Sequence, residues 1–353
     1  MGARSAASEA AMTRYGAHLN PAFMRLLDLL GYGRVFERAR GMQLWDVDGG
    51  TTLDFLAGFG SVNLGHNPPR LVETLCASLR AERPGLNHIG PPLGAAALGE
   101  ALAARVPGRP RVLLSLSGGE AVESALKLAR AATGRRGLLG CEGGFHGTGL
   151  GALSLMGHAR FREPFEPLIP GCVRIPFGDL GRLERALRRH APAAFLVEPI
   201  QAEGGVRLAP AGYLRAAATL CRRHGTLFVL DEVQTGLGRT GTLFAFEQEL
   251  DEPPDVLVLG KALGGSMVPI AAAITSEAIH DAAYGATDRF DLHGSTFSEY
   301  ELGSRAALET LAILEEEGLA ERAMRAGGRL LEGLRRRLGD HPLVLEVRGR
   351  GLL

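Results

Sequence analysis

Lysine is almost missing from this chain. Lysine and arginine together number 39, yet Lys127 and Lys261 are the only lysines among them. Arginine serves solubility and ion pairing as well as lysine does, but its guanidinium stays protonated and cannot attack a carbonyl as an amine. A lysine kept in such a composition draws attention to amine chemistry. Lys261 stands where an apolar run ends and a glycine-rich turn begins, in Val256-Leu-Val-Leu-Gly-Lys-Ala-Leu-Gly-Gly265. Position alone leaves chance retention equally open, so the neighbours must decide.

Cysteine is also scarce. Cys76, Cys141, Cys172 and Cys221 lie far apart without paired spacing, which excludes a zinc cluster and a disulfide framework and fits a reducing cytoplasm. No metal site is expected. Net charge is absent as well: 39 basic residues balance 39 acidic ones, so no overall field draws nucleic acid or an anionic membrane. Arg188-Arg189 and Arg335-Arg336-Arg337 alternate with apolar residues at helical spacing and read as solvated helix faces. No segment reaches the roughly 18 apolar residues of a membrane span, and the amino terminus shows no apolar stretch before a cleavage site. A soluble, cytoplasmic protein is the expectation.

What is present is alternation. Short runs of valine, leucine and phenylalanine at Arg111 to Ser115, Ala194 to Val197, Leu227 to Leu230 and Val256 to Leu259 read as buried strands. Between them, segments of helical period cover Pro69 to Arg83, Leu93 to Arg105, Glu120 to Ala132, Asp179 to Arg189 and Gly212 to Arg223, with Glu301 to Leu338 broken near Gly318 or Gly327. The pattern predicts an α/β fold with a mainly parallel central sheet. Met42 to Asp54 reads as a hairpin around Asp48-Gly49-Gly50. The division expected is a small-domain segment over residues 1–63, a large domain over 64–302 and the start of a second small-domain portion over 303–353. The last stretch, Leu343 to Leu353, reads as a strand, a turn and the start of another strand with no partner left to pair with. A shortened chain, or completion of the small domain by something else, is expected from that.

Several chemical groups fall at strand ends, where open α/β sheets bind ligands. Ser117-Gly118-Gly119 follows a strand and opens a helix, so its free backbone donors suit a phosphate, although such a turn is more often a plain connection. Asp231 closes an apolar run and could face a protonated ring nitrogen, or simply cap a helix. Phe145, between glycines, could stack on a flat ring or be ordinary core. Gly236-Leu-Gly-Arg-Thr-Gly241 lacks a following helix and reads as a turn.

With these residues assembled, the chain resembles the class III aminotransferases, pyridoxal-phosphate enzymes of fold type I. The carriers are Ser117-Gly-Gly-Glu-Ala121, Phe145-His146-Gly147, Glu198-Pro-Ile-Gln-Ala-Glu203, Asp231-Glu-Val-Gln-Thr-Gly236, Gly260-Lys261-Ala262, His293-Gly-Ser-Thr296 and Val347-Arg-Gly-Arg-Gly351. The resemblance implies that Lys261 bonds the cofactor's aldehyde as a Schiff base and then shuttles a proton. It implies that Asp231 pairs with the ring nitrogen, Phe145 and Val233 cover the two ring faces, Gln234 reaches the ring hydroxyl and Glu198 supports them. Ser117, Gly118, Gly119 and His146 join the cofactor contacts. Thr296 would serve the phosphate of a neighbouring subunit, which makes a homodimer with shared sites the expected assembly.

Departures from the family bear on substrate. Members acting on ornithine or acetylornithine carry arginine where this chain has Thr148, and that arginine grips a carboxylate. Two expected tyrosines are Asn20 and Phe59, although Tyr15-Gly-Ala-His18 resembles the ornithine enzymes. The stretch from Phe145 to Pro176 is more similar to putrescine aminotransferases. Phe297-Ser-Glu-Tyr-Glu301 replaces the usual Gly-Gly-Asn-Pro, and no arginine remains after Leu353 to pair with Glu203. With Asn20, Phe59, Thr148 and Glu203 as substrate-facing candidates, the expectation is transfer of a terminal amine from a diamine or amino acid to a 2-oxo acid such as 2-oxoglutarate. The alternatives are an ornithine or acetylornithine aminotransferase, an aminomutase or decarboxylase on the same cofactor, and a non-catalytic domain descended from such enzymes.

Overall fold

The apolar runs become the strands of one seven-stranded sheet, seen in a computed structural model that describes residues 4–353. The chain enters through helices α1 (Ala6–His18) and α2 (Pro21–Leu29), then a three-stranded antiparallel sheet of β1 (Phe36–Arg40), β2 (Gln43–Asp46) and β3 (Thr51–Leu53). The expected hairpin is its second half, with Asp46 Oδ1 accepting from the Gly50 backbone N–H at 2.7 Å to close the turn. One tight turn, α3 (Ala57–Gly60), leads to α4 (Pro69–Arg80) and α5 (Leu93–Arg105).

The large sheet then alternates with helices: β4 (Arg111–Ser115), α6 (Gly118–Thr133), β5 (Leu138–Cys141), α7 (Leu150–Leu155), α8 (Ala159–Arg162), β6 (Cys172–Ile175), α9 (Leu180–His190) and β7 (Ala194–Val197). A two-stranded ribbon, β8 (Ile200–Gln201) and β9 (Arg207–Leu208), precedes α10 (Tyr213–His224), β10 (Leu227–Asp231), β11 (Val256–Leu259) and β12 (Ala271–Thr275). The chain closes with α11 (Glu277–Tyr284), α12 (Glu301–Glu316) and α13 (Leu319–Leu338).

Spatially the strands lie in the order β4-β12-β11-β10-β7-β5-β6. Only β12 runs against its neighbours, pairing antiparallel with β11 and β4. Period-two alternation divides each strand between two cores. In β7, Phe195 and Val197 join α5, α9, α10 and α12 on one face, while Ala194 and Leu196 join α6, α7 and α11 on the other. Both faces are covered, which is why these strands read as continuous apolar runs.

The helix expected over Glu301 to Leu338 breaks at Gly318, whose φ of +58° lies in the left-handed region that ends helices. It continues uninterrupted through Gly327. The expected terminal strand does not form: residues 343–353 carry no strand. Instead Arg348 Nε donates to the Gly205 carbonyl at 2.8 Å and the Leu352 N–H donates to the Arg239 carbonyl at 3.0 Å. No helix among the described residues is long and apolar enough to cross a membrane.

Candidate active site

Four neighbouring strands deliver the candidate side chains side by side. Lys261 follows β11, Asp231 ends β10, Glu198 follows β7, and Phe145 and His146 follow β5, all at the carboxyl edge of the sheet. A four-residue strand rises only about 13 Å, so the apolar runs act as short pedestals that bring residues distant in sequence to one rim.

At the centre is a buried carboxylate. Asp231 Oδ2 lies 2.8 Å from His146 Nδ1, and Asp231 Oδ1 accepts the Val233 N–H at 3.0 Å. A buried carboxylate without hydrogen-bond partners would be costly, and these two contacts satisfy it. Burial works against a charged His146, but the hydrogen bond and charge of Asp231, with Glu198 adding to them, raise its pKa above the ordinary value. Beside this pair, Glu198 Oε1 accepts the Phe145 N–H at 3.0 Å. Burial pushes its pKa up to about 7, with the Asp231 charge adding to the rise and the His146 charge opposing it. Among the described residues, His146 Nε2 has no hydrogen-bond partner.

Lys261 begins a one-turn 3-10 segment in the left-handed region, at φ +43°, an uncommon conformation for a residue with a side chain. Its Nζ donates to Gln234 Oε1. Burial lowers its pKa and outweighs the charges of Asp231, Glu203 and Glu198, while the Arg239 guanidinium pushes in the same direction as burial. The amine is therefore easier to deprotonate than an exposed lysine.

A backbone cradle lies at the start of α6. Ser117 Oγ accepts the Glu120 N–H at 3.2 Å, and Glu120 Oε2 accepts the Leu116 N–H at 2.9 Å. Gly118 and Gly119 occupy the first helical positions, whose N–H groups have no intrahelical acceptor. A Cβ on Gly118 would sit 2.6 Å from Val233 Cγ1, and one on Gly147 would sit 2.9 Å from the Gly119 Cα. Glycine lets Val233, the Phe145 loop and the helix start converge on one place, where exposed amides and the helix dipole could hold a phosphate.

The other candidates divide. Phe145 is partly buried and meets Phe161 edge-on at 6.1 Å. Glu203 is exposed in the turn between β8 and β9, near enough for Lys261 to feel its charge. Phe59 is exposed at φ +55°, next to Gly60, whose hydrogen side faces Gln234 and Arg239. Thr148 is exposed one residue past Gly147. Asn20 serves as the cap of α2, accepting the Phe23 N–H at 2.9 Å. Thr296 is exposed, and among the described residues no hydrogen bond ties it to the Lys261 group.

Two participants escaped the sequence reading. Arg239 sits in the turn Gly236 to Gly241, donating to the Gly60 carbonyl at 3.2 Å and to Asn63 Oδ1, and so ties the 57–63 segment to the rim. An arginine between glycines was the available signal. Glu232 is fully buried and accepts the N–H groups of Ala245 and Phe246 at 2.6 and 2.7 Å. Its signal was a second acid directly after Asp231. A cavity of about 930 Å³ lies apart from Lys261, walled by residues such as Asn63, His66, Arg70, Arg239 and Ile313.

A sequence profile described as aminotransferase class-III matches residues 31–353. The aminotransferase PigE of a Serratia species is 42% identical over 353 residues, covering 99% of this chain. This chain spans 41% of that relative's length. An ornithine aminotransferase from Toxoplasma gondii shares 35% identity and a TM-score of 0.85, with 99% of this chain and 84% of that one covered. An (S)-enantioselective omega-transaminase from Thermomicrobium roseum shares 31% identity and a TM-score of 0.88, with 99% and 83% covered.

Proposed function

The chain belongs to the class III aminotransferases, and from that premise we propose that it binds pyridoxal phosphate and moves a terminal amino group from a diamine or amino acid to a 2-oxo acid such as 2-oxoglutarate. The residues at the rim fit the cofactor. The first-turn amides of Gly118 and Gly119 are free for a phosphate, a Cβ on Gly118 would close the gap to Val233, and the Asp231 carboxyl group keeps lone pairs free beyond its two contacts.

When bound, pyridoxal phosphate supplies an aldehyde that combines with amines and a ring that takes up the electron pair released at the substrate carbon. Asp231, its carboxylate held by His146, would face the ring nitrogen; Phe145 and Val233 would bracket the ring, Gln234 would hold its hydroxyl, and Ser117, Gly118 and Gly119 would anchor its phosphate. Lys261 would supply the amine that joins the cofactor, and its Nζ would then serve as the base that takes a proton from the substrate carbon and gives it back. The lowered pKa suits both tasks, since an ordinary lysine near 10.4 is rarely neutral at pH 7. Thr296 would serve a partner's phosphate in a homodimer. Residues 64–302 form the cofactor-binding domain, flanked by small-domain portions at 1–63 and 303–353, and the enzyme works in the cytoplasm.

The observation that carries this reading is the amine of Lys261 and the carboxylate of Asp231 at the ends of adjacent strands β11 and β10. Thr148 in place of a carboxylate-gripping arginine favours donors whose far end, away from the reacting amine, bears no carboxylate. Similarity to the Toxoplasma enzyme keeps ornithine as the second reading. The test is glutamate formation from 2-oxoglutarate with putrescine, ornithine and acetylornithine in turn. Putrescine is expected to be used best; a strict preference for acetylornithine would overturn the donor assignment, and no glutamate with any amine would overturn transamination.

A further inference from the structure

The second lysine has a place of its own. We propose that Lys127, Ser124 and His293 form a latch that fixes the loop over residues 286–300, and with it Thr296, to helix α6. The inference rests on the reading of that helix start as the phosphate cradle and of the protein as a dimer.

Lys127 Nζ donates to the Leu292 carbonyl at 2.9 Å, and one residue further on His293 Nε2 lies 2.6 Å from Ser124 Oγ. Ser124 and Lys127 are three residues apart and so share a face of α6. Ser124 is fully buried, and its Oγ also donates to the Glu120 carbonyl at 2.9 Å and lies 3.3 Å from Ser115 Oγ, so the His293 contact joins the loop to a buried hydrogen-bond cluster at the helix. Burial and the nearby Lys127 charge lower the pKa of His293, favouring its neutral form.

The ends of the loop are tied separately, by Arg289 Nη1 donating to the Ala282 carbonyl at 3.3 Å and by the Tyr300 hydroxyl donating to the Pro269 carbonyl, and the latch holds its middle. Among the described residues, those at 290–299 receive no other hydrogen bond from outside the loop; Ser298, for instance, bonds back to the Ser295 carbonyl. A structureless connection of this length is uncommon in a compact domain and needs an anchor to present any side chain reproducibly. Thr296 follows His293 by three residues, so its reach from the latch is at most about 10 Å. Ser124 in turn lies roughly 8 Å along the helix axis from Gly119. One helix thus carries the cradle at its start and the anchor of the Thr296 loop a turn and a half later, and in a two-fold dimer each chain's latch sets the phosphate contact of its partner.

The experiment uses the full chain and two variants, Lys127→Met and Ser124→Ala. Hydrogen exchange of peptides spanning 290–299 is expected to accelerate by about tenfold in both, while peptides from β10 and β11 exchange as before. In the same proteins, affinity for pyridoxal phosphate is expected to fall by about tenfold, with affinity for pyridoxal, which lacks the phosphate, unchanged. Unaltered exchange in 290–299 would overturn the latch. Equal losses for both compounds would overturn it too, by showing a general weakening rather than a phosphate-side effect. Wild-type protein that binds pyridoxal as tightly as pyridoxal phosphate would instead count against the cradle, with the exchange data still deciding the latch.

Discussion

His146 Nδ1 lies 2.8 Å from Asp231 Oδ2, and both side chains are buried. The histidine therefore supplies the side-chain partner that a carboxylate buried at the centre of the rim requires. Replacing it by leucine removes the donor and leaves the charge, a change that costs about 3–5 kcal/mol at buried pairs. His146→Asn restores a donor and should recover most of that loss. Urea unfolding of the two variants checks this, and a leucine variant as stable as the wild type would refute the stabilising role.

Stability should fall as pH rises from about 5 to 8. Glu198 has its pKa raised to about 7 and Glu232 to about 8, both chiefly by burial, against an ordinary 4.5. The folded state then holds protons that the unfolded state has released, so raising pH through this window favours unfolding. His146, also raised, contributes in the same sense: its stabilisation is complete below the unfolded value of 6.5 and is lost as pH passes the folded one. The cofactor-free protein is expected to melt lower at pH 8.5 than at pH 5.5. Glu198→Gln, which still accepts from the Phe145 N–H, should flatten the slope. Melting curves that rise with pH would contradict the assignment.

Substrate choice should respond to residue 148. Thr148 is exposed just past the Phe145 loop, so arginine fits there without disturbing the core. Thr148→Arg should favour carboxylate-bearing donors such as acetylornithine over putrescine by about 10- to 100-fold in the ratio of kcat/KM values. An unchanged ratio would place the donor's far end elsewhere.

Much of this was legible in the sequence where local signals were strong. The strands Arg111–Ser115, Ala194–Val197 and Val256–Leu259 and the helix Leu93–Arg105 fall on the residues expected, because each is an apolar run or periodic face bounded by proline, glycine or polar residues. β12 was hidden: Ala271-Ala-Ala-Ile-Thr275 has little β character of its own and becomes a strand by pairing between β11 and β4. Its reversed direction could not be read from alternation alone. The site shows the same division. Lys261 and Asp231 announced themselves at strand ends, whereas the His146–Asp231 contact spans 85 residues and Arg239 reaches Gly60 across 179. Such pairings arise from the strand order, which no local pattern encodes. The turn at Gly118 was visible as glycine, but the reason for it, the approach of Val233, was not.

The scarcity of lysine makes the central claim open to one direct measurement. Protein loaded with pyridoxal phosphate is treated with borohydride, which fixes an aldehyde-bound amine permanently, then digested and mapped by mass spectrometry. With two lysines in the chain, the account expects the pyridoxyl label on the peptide carrying Lys261, none on Lys127, and loss of both label and amino-group transfer in Lys261→Arg. Label on Lys127, or transfer that persists in Lys261→Arg, would contradict it.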